Sequence, residues 1–233
     1  MYFHDRAQAG KLLAEKLKPY QIQNTAVVAL SRGGLMVGAQ IALKLHASLM
    51  MLLTENIDLP GLQDPFAAVS PENTITYNKS FYSGEREELT MEYFHQIEQQ
   101  RIEKIHRLHT LTDGSGQVRK DLLKNHIVIL VNDGFSTGFS LDVAADYLKP
   151  VKAKKLIVAA AVASMSAMDR MRLFGDEVAC LSVAQNYIDT DHYFDENQIP
   201  STEGLFKIIR NISLSWDSDQ YVSDKKHKVS DIR

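Results

Sequence analysis

At 233 residues the chain is long enough for one sizeable α/β core, and its length does not require a second domain. Hydrophobic residues at 45% and charged residues at 24% are ordinary for a globular protein, while a formal net charge of −3 argues against the broad basic face of a nucleic-acid binder. Cys180 is the single cysteine, which excludes an internal disulfide and a cysteine-based zinc site and suits a reducing cytoplasm.

A first helix is expected over residues 5–17, ending before Pro19. Residues 26–30 form a short apolar strand, followed by a helix over 34–45 and a strand over 49–53. Pro60, Gly61 and Pro65 mark an irregular region with two short extended pieces, at 67–69 and 74–77. Residues 85–108 read as one long helix, because Leu89, Tyr93, Ile97, Ile105 and Leu108 recur near helical spacing and Glu, Gln, Lys and Arg fill the outer face. A strand over 127–131, a helix over 138–148 stopping at Pro150, a strand over 155–162, a helix over 166–174 and a strand over 177–182 complete the regular elements. Cys180 sits among Val178, Ala179 and Leu181 and reads as a buried strand thiol. The longest largely apolar stretch, 156–163, is too short to span a bilayer, and no basic-then-apolar leader pattern opens the chain, so no membrane partner and a cytoplasmic location are expected. The alternation of strands and helices predicts an α/β fold with a doubly wound, mostly parallel sheet that takes its ligands at the strands' carboxyl ends.

Two of those strand ends carry chemistry. The apolar run Ile127 to Val131 gives way to Asn132 and Asp133, then to Gly134, Phe135, Ser136, Thr137 and Gly138, and a helical pattern follows. Small residues let backbone N–H groups approach an anion closely, and the first turn of the next helix adds unpaired donors and the positive end of its dipole. Asp133 is placed to take sugar hydroxyls or, through them, to serve a metal-bound polyphosphate. The glycine spacing is not that of a dinucleotide fingerprint, and no Gly-Lys-Ser/Thr follows to make a Walker loop. An ordinary strand–turn–helix corner with an Asp or Ser cap accounts for the same residues. The second strand end runs from Ala26 to Leu30 into Ser31, Arg32, Gly33 and Gly34, where Arg32 offers a fixed positive charge suited to phosphate oxygens.

Together these segments resemble the type I phosphoribosyltransferases. Ile129 to Gly138 is similar to that family's ribose-phosphate motif, and Ser31 to Gly34, standing N-terminal to it, to the pyrophosphate loop. The opening, Phe3 to Arg6 through Ala9-Gly10 and Leu12 to Ala14, resembles a bacterial subfamily, as does Gly175 to Leu181. The resemblance covers roughly residues 1–210. It implies one domain over 1–212, with a helical insertion at about 85–109 and a small C-terminal hood at about 183–210; the polar composition of 213–233, with Lys225, Lys226 and Lys228 close together, reads as a flexible, solvated tail.

The implied ligand is 5-phosphoribosyl-1-pyrophosphate, with Mg²⁺ bridging its pyrophosphate and ribose hydroxyls, and the implied reaction is displacement of pyrophosphate by a nitrogenous base or amine. The phosphoribose-binding set is then Asn132, Asp133, Gly134, Phe135, Ser136, Thr137 and Gly138. Ser31, Arg32, Gly33 and Gly34 take the pyrophosphate, and Asp133 is the catalytic residue and the indirect metal residue through ribose or water. A homodimer is the family's habit.

Three positions depart from the family pattern. Asn132 stands where an acid is usual. Thr54 and Glu55 replace a basic pair, bringing the wrong sign toward a pyrophosphate. Ser136 replaces the acid of 6-oxopurine members. Lys79 and Arg86 fall in the region of the mobile catalytic loop. The departures leave a second reading open, a non-catalytic sensor or recruiting module that binds the sugar phosphate or a nucleotide, and a third, a hydrolase of phosphorylated sugars. His106 and His109 are three apart on a helix and have no evident partner ligand. Tyr187, His192, Tyr193 and Phe194 correspond to the hood, although aromatic packing explains them equally well.

Overall fold

A computed structural model describes residues 1–111 and 118–212. The expected tail over 213–233 lies outside the described residues. In chain order the elements are α1 (Arg6–Lys16), β1 (Thr25–Ala29), α2 (Arg32–Leu45), β2 (Ser48–Met51), β3 (Glu55–Ile57), β4 (Ala67–Val69), β5 (Ile75–Tyr77), α3 (Ser83–Glu92), α4 (Phe94–Leu111), α5 (Lys120–Leu123), β6 (Ile127–Phe135), α6 (Phe139–Leu148), β7 (Lys155–Ser164), α7 (Met165–Phe174) and β8 (Glu177–Ala184). Residues 202–212 are also helical.

Five strands form one sheet in the order β2-β1-β6-β7-β8, and each neighbouring pair is parallel. Every residue of β1 and of β6 is buried, the result expected when a parallel strand is covered on both faces. Alternate residues supply two cores. Val27, Ala29, Ile129 and Val131 face α1, α2 and Leu205 to Ile212. Ala26, Val28, Val128 and Leu130 face α5, α6 and α7. This is the doubly wound α/β architecture anticipated from the alternation of elements.

Chain direction within the sheet reverses between β1 and β6. From β1 the chain moves outward to β2, then returns to place β6 on the other side of β1. The loops after those two strands therefore flank a switch point, where open parallel sheets leave a crevice.

The insertion between β2 and α5 builds a second, antiparallel sheet in the order β3-β4-β5. Ile57, Phe66, Ala67 and Val69 pack there against Ile97 and Leu108 of α4. The single long helix expected over 85–108 is instead two, with Tyr93 (φ −105°, ψ 20°) between them. Leu89, Tyr93, Ile97 and Ile105 all still face the small sheet, so the spacing of apolar residues continues through the break and could not reveal it. No helix among the described residues is long and apolar enough to cross a membrane.

Candidate functional site

Ser31 ends β1's loop and caps α2, its Oγ accepting from Gly34 N at 2.7 Å. The same hydroxyl lies 2.5 Å from Asn132 Oδ1 and 2.9 Å from Asp133 Oδ1. The two strand ends singled out in the sequence are thus side by side and share a hydrogen-bonding group.

Asp133 is buried, and its other oxygen, Oδ2, accepts from Arg6 Nε at 2.8 Å. Arg6, only 4% exposed, also donates to Asp191 Oδ1 at 2.5 Å and Asn197 Oδ1 at 3.1 Å, and its guanidinium lies 4.6 Å from the Phe194 ring centre. Burial alone would lower the Arg6 pKa; hydrogen bonds and charge from Asp133 and Asp191 outweigh it, and the net shift is upward. Asn132 is equally committed. Its Oδ1 accepts from Asp133 N at 3.1 Å, and its Nδ2 donates to the Gly134 carbonyl at 2.8 Å.

The glycine pair after Ser31 is explained by this polar cluster. A Cβ at Gly33 would stand 1.9 Å from Asp133 Oδ2 and 2.6 Å from Arg6 Nε, and one at Gly34 would stand 2.9 Å from Asn132 Oδ1. Their bareness lets α2 begin directly against the end of β6. Arg32 points elsewhere, its Nη2 donating to the Pro200 carbonyl at 2.9 Å.

Farther along β6, Gly134 and Phe135 pair in register with Val162 and Ala163, and the Phe135 side chain belongs to the core. The loop proper is Ser136 to Gly138. Among the described residues the backbone N–H groups of these three donate to no protein acceptor, whereas Phe139 N donates to Thr137 Oγ1 at 3.3 Å. Gly138 caps α6 with φ +75°, a left-handed conformation that a side chain would strain. The loop lines a cleft of about 190 Å³, together with Thr54, Asn56, Asp64 and Pro65 from the insertion, Asn132, and the first turn of α6. Asp133 is not among the lining residues.

The hood segment lies over the end of β6. A Cβ at Gly134 would stand 2.4 Å from Tyr187 Oη and 2.7 Å from Thr190 Oγ1, and those two oxygens are themselves 2.7 Å apart. Burial pushes the Tyr187 phenol up to about 12; the Thr190 hydrogen bond lowers it and the nearby Asp133 charge raises it. Tyr187 packs at a tilt on Tyr193, His192 meets the same ring edge-on, and Phe194 packs at a tilt on Phe3.

Several sequence candidates are drawn elsewhere. Glu55 pairs with Arg107 of α4 at 3.5 Å, so a cation answers its charge within the insertion. Lys79 lies 3.6 Å from the buried carboxylate of Asp142, which also binds Arg170, and Arg86 lines a separate hollow with Tyr77 and Met91. Burial raises the Asp142 pKa in spite of those two cations. His109 Nε2 is 2.8 Å from the Pro71 carbonyl. Asn56, Asp64 and Arg6 escaped functional assignment from sequence. The first two come from an insertion with no readable motif, and Arg6 lies in the opening segment, whose family resemblance implies no role for it.

A divalent cation of the magnesium type wants anionic oxygens that are not already neutralised. Both Asp133 oxygens are committed, one to a guanidinium, and Asn132 is uncharged. These residues do not fit direct coordination. On the surface, His4, Asp5 and Glu196 bring ligand atoms within 4.8 Å of one another, but exposed groups of this kind are common without an ion.

A doubly wound parallel sheet with an amide-lined loop at its switch point is an α/β arrangement whose geometry suits an anion. The family model of the phosphoribosyl transferase domain matches residues 4–193, and the chain belongs to that family. Two Mycobacterium tuberculosis proteins, provisionally named phosphoribosyl transferases, are 26% identical over 182 residues, 77% of this chain and 40% of theirs. The chain thus spans about two fifths of the length of these curated relatives. The crystal structure of TT1426 from Thermus thermophilus superposes with a TM-score of 0.67 at 26% identity, over 90% of this chain and 98% of that one.

Proposed function

We propose that this member of the phosphoribosyl transferase family binds 5-phosphoribosyl-1-pyrophosphate in the switch-point cleft and transfers phosphoribose to a nitrogenous acceptor. The bond from the anomeric carbon to the pyrophosphate oxygen breaks, a bond to the acceptor nitrogen forms, and the acceptor's proton leaves. One observation carries the reading: three consecutive amides, Ser136 to Gly138, unpaired among the described residues, stand just before a ten-residue helix and line the cleft. They suit the ligand's 5-phosphate, since unpaired N–H groups and the helix dipole both favour an anion there. The ribose hydroxyls then fall toward Asn132 and Asp133, and the pyrophosphate toward Ser31 to Gly34. Magnesium, in this reading, travels on the ligand's own phosphates.

A second reading, binding of a sugar phosphate or nucleotide without transfer, is favoured by the partners that Asn132 and Asp133 already have. An acid whose charge is already answered by the buried Arg6 guanidinium is a weaker acceptor for a ribose hydroxyl and is poorly placed for rapid turnover. Calorimetric titration with phosphoribosyl pyrophosphate, with and without Mg²⁺, followed by a pyrophosphate-release assay against a panel of bases, separates the two. Release with any base supports transfer, and heat without release supports the binding module. No heat from phosphoribosyl pyrophosphate, ribose 5-phosphate or a nucleoside monophosphate overturns both. Sedimentation of the same sample tests the expected homodimer.

A further inference from the structure

The segment 187–197 crosses the end of β6 like a strap, with Tyr187 and Thr190 set directly against Gly134. Its far end is sewn to the start of the chain. Phe3 N donates to the Tyr193 carbonyl at 2.9 Å, Asp195 N to the Phe3 carbonyl at 3.0 Å, and Glu196 N to the His4 carbonyl at 2.8 Å. Between strap and sheet lies Arg6, which binds Asp133 on the sheet side and Asp191 and Asn197 on the strap side, under the Phe194 ring. The planar fork of a guanidinium can serve three acceptors in different directions at once, whereas a lysine ammonium is a point charge without that fixed geometry.

We infer that Arg6 is a positioning residue that ties the 187–197 strap to the Asp133 carboxylate, so that closure over Gly134 and the orientation of Asp133 are set together. The coupling is uneven. Asp133 is the buried partner of Arg6, while Asp191 is 65% exposed, so losing the Asp133 charge leaves a buried guanidinium with only a solvent-facing anion. The guanidinium then turns outward and the strap loses its inner anchor. Losing Asp191 leaves the buried pair intact. For the proposed transfer, on whose reading this last step rests, a ribose hydroxyl that engages Asp133 loosens the strap, and an open strap offers Asp133 to the ribose; linkage makes the effect reciprocal.

Hydrogen exchange on the full chain tests the coupling without any ligand. Arg6→Lys and Asp133→Asn are each expected to raise exchange across 187–197 by about tenfold, the order for losing one charge-assisted hydrogen bond, with β1 and β6 unchanged. Asp191→Asn and Asn197→Ala, at the outer end, are expected to raise it less, and they keep the test open if the inner variants fold poorly. Equal strap exchange in all four variants and wild type, or a rise only in step with global unfolding, overturns the inference. In a second arm, titration with phosphoribosyl pyrophosphate should show Asp191→Asn binding several-fold more tightly than wild type, because a looser strap already offers Asp133 to the ribose; weaker binding by this variant overturns the reciprocal step. Wild type that binds no phosphoribosyl pyrophosphate removes the transfer reading, and the exchange result still judges the coupling.

Discussion

Gly33 is the second residue of α2, where helix propensity alone makes Gly33→Ala stabilising by about 0.8–1 kcal/mol. Tertiary packing gives the opposite sign. The new methyl would stand 1.9 Å from Asp133 Oδ2, 2.5 Å from Asp133 Cγ and 2.6 Å from Arg6 Nε. Neither side chain can swing aside, because both are buried and Arg6 has three hydrogen-bond partners. Either the buried ion pair parts or the first turn of α2 lifts from β6. Breaking a buried pair costs roughly 3–5 kcal/mol, so a net loss of about 2–4 kcal/mol is expected after the propensity gain. Gly84 is the internal control. It too is the second residue of its helix, α3, and a Cβ there meets nothing within 4 Å. Gly84→Ala should therefore gain up to about 1 kcal/mol. Urea unfolding followed by circular dichroism reads both variants on one scale. A Gly33→Ala protein as stable as wild type would refute the claim that this helix start is seated on the Arg6–Asp133 pair.

Asn132→Asp, which writes the family's usual acid back into the motif, is expected to destabilise. It exchanges the donor to the Gly134 carbonyl for an acceptor and adds a buried charge beside Asp133, a loss of about 2–4 kcal/mol in urea; unchanged stability with tighter phosphoribosyl pyrophosphate binding would show the position to be a simple ligand contact. Gly138→Ala forces a side chain into a left-handed conformation at a cost of about 1–2 kcal/mol, and should weaken ribose 5-phosphate binding in calorimetry more than it lowers stability; equal affinity would remove the amide loop from the ligand site. Of the nine tyrosines, Tyr147 and Tyr187 are both pushed up to about 12, chiefly by burial. Their contribution to stability is complete below the ordinary phenol range near 10 and drains away as pH climbs through about 12. An alkaline absorbance titration should show late phenolates in wild type and one fewer in Tyr187→Phe; a wild type whose tyrosines all titrate near 10 would contradict the burial of both rings.

The apolar runs of β1 and β6 announced themselves in the sequence, because strands covered on both faces must be apolar throughout, and the small residues after them marked the turns where ligands gather. Local pattern likewise placed α2, α6 and α7, whose starts need Ser31, Gly138 and Ser164. Tertiary structure alone decided what those turns touch. It gave Gly33 and Gly34 to the Arg6–Asp133–Asn132 cluster, sent Arg32 to Pro200, paired Glu55 with Arg107, and split the long helix at Tyr93. A sequence reading resolves periodicity and turn chemistry because both depend on neighbours a few residues away. Which carboxylate meets which guanidinium depends on partners more than a hundred residues apart, and only the folded sheet brings Arg6 to Asp133.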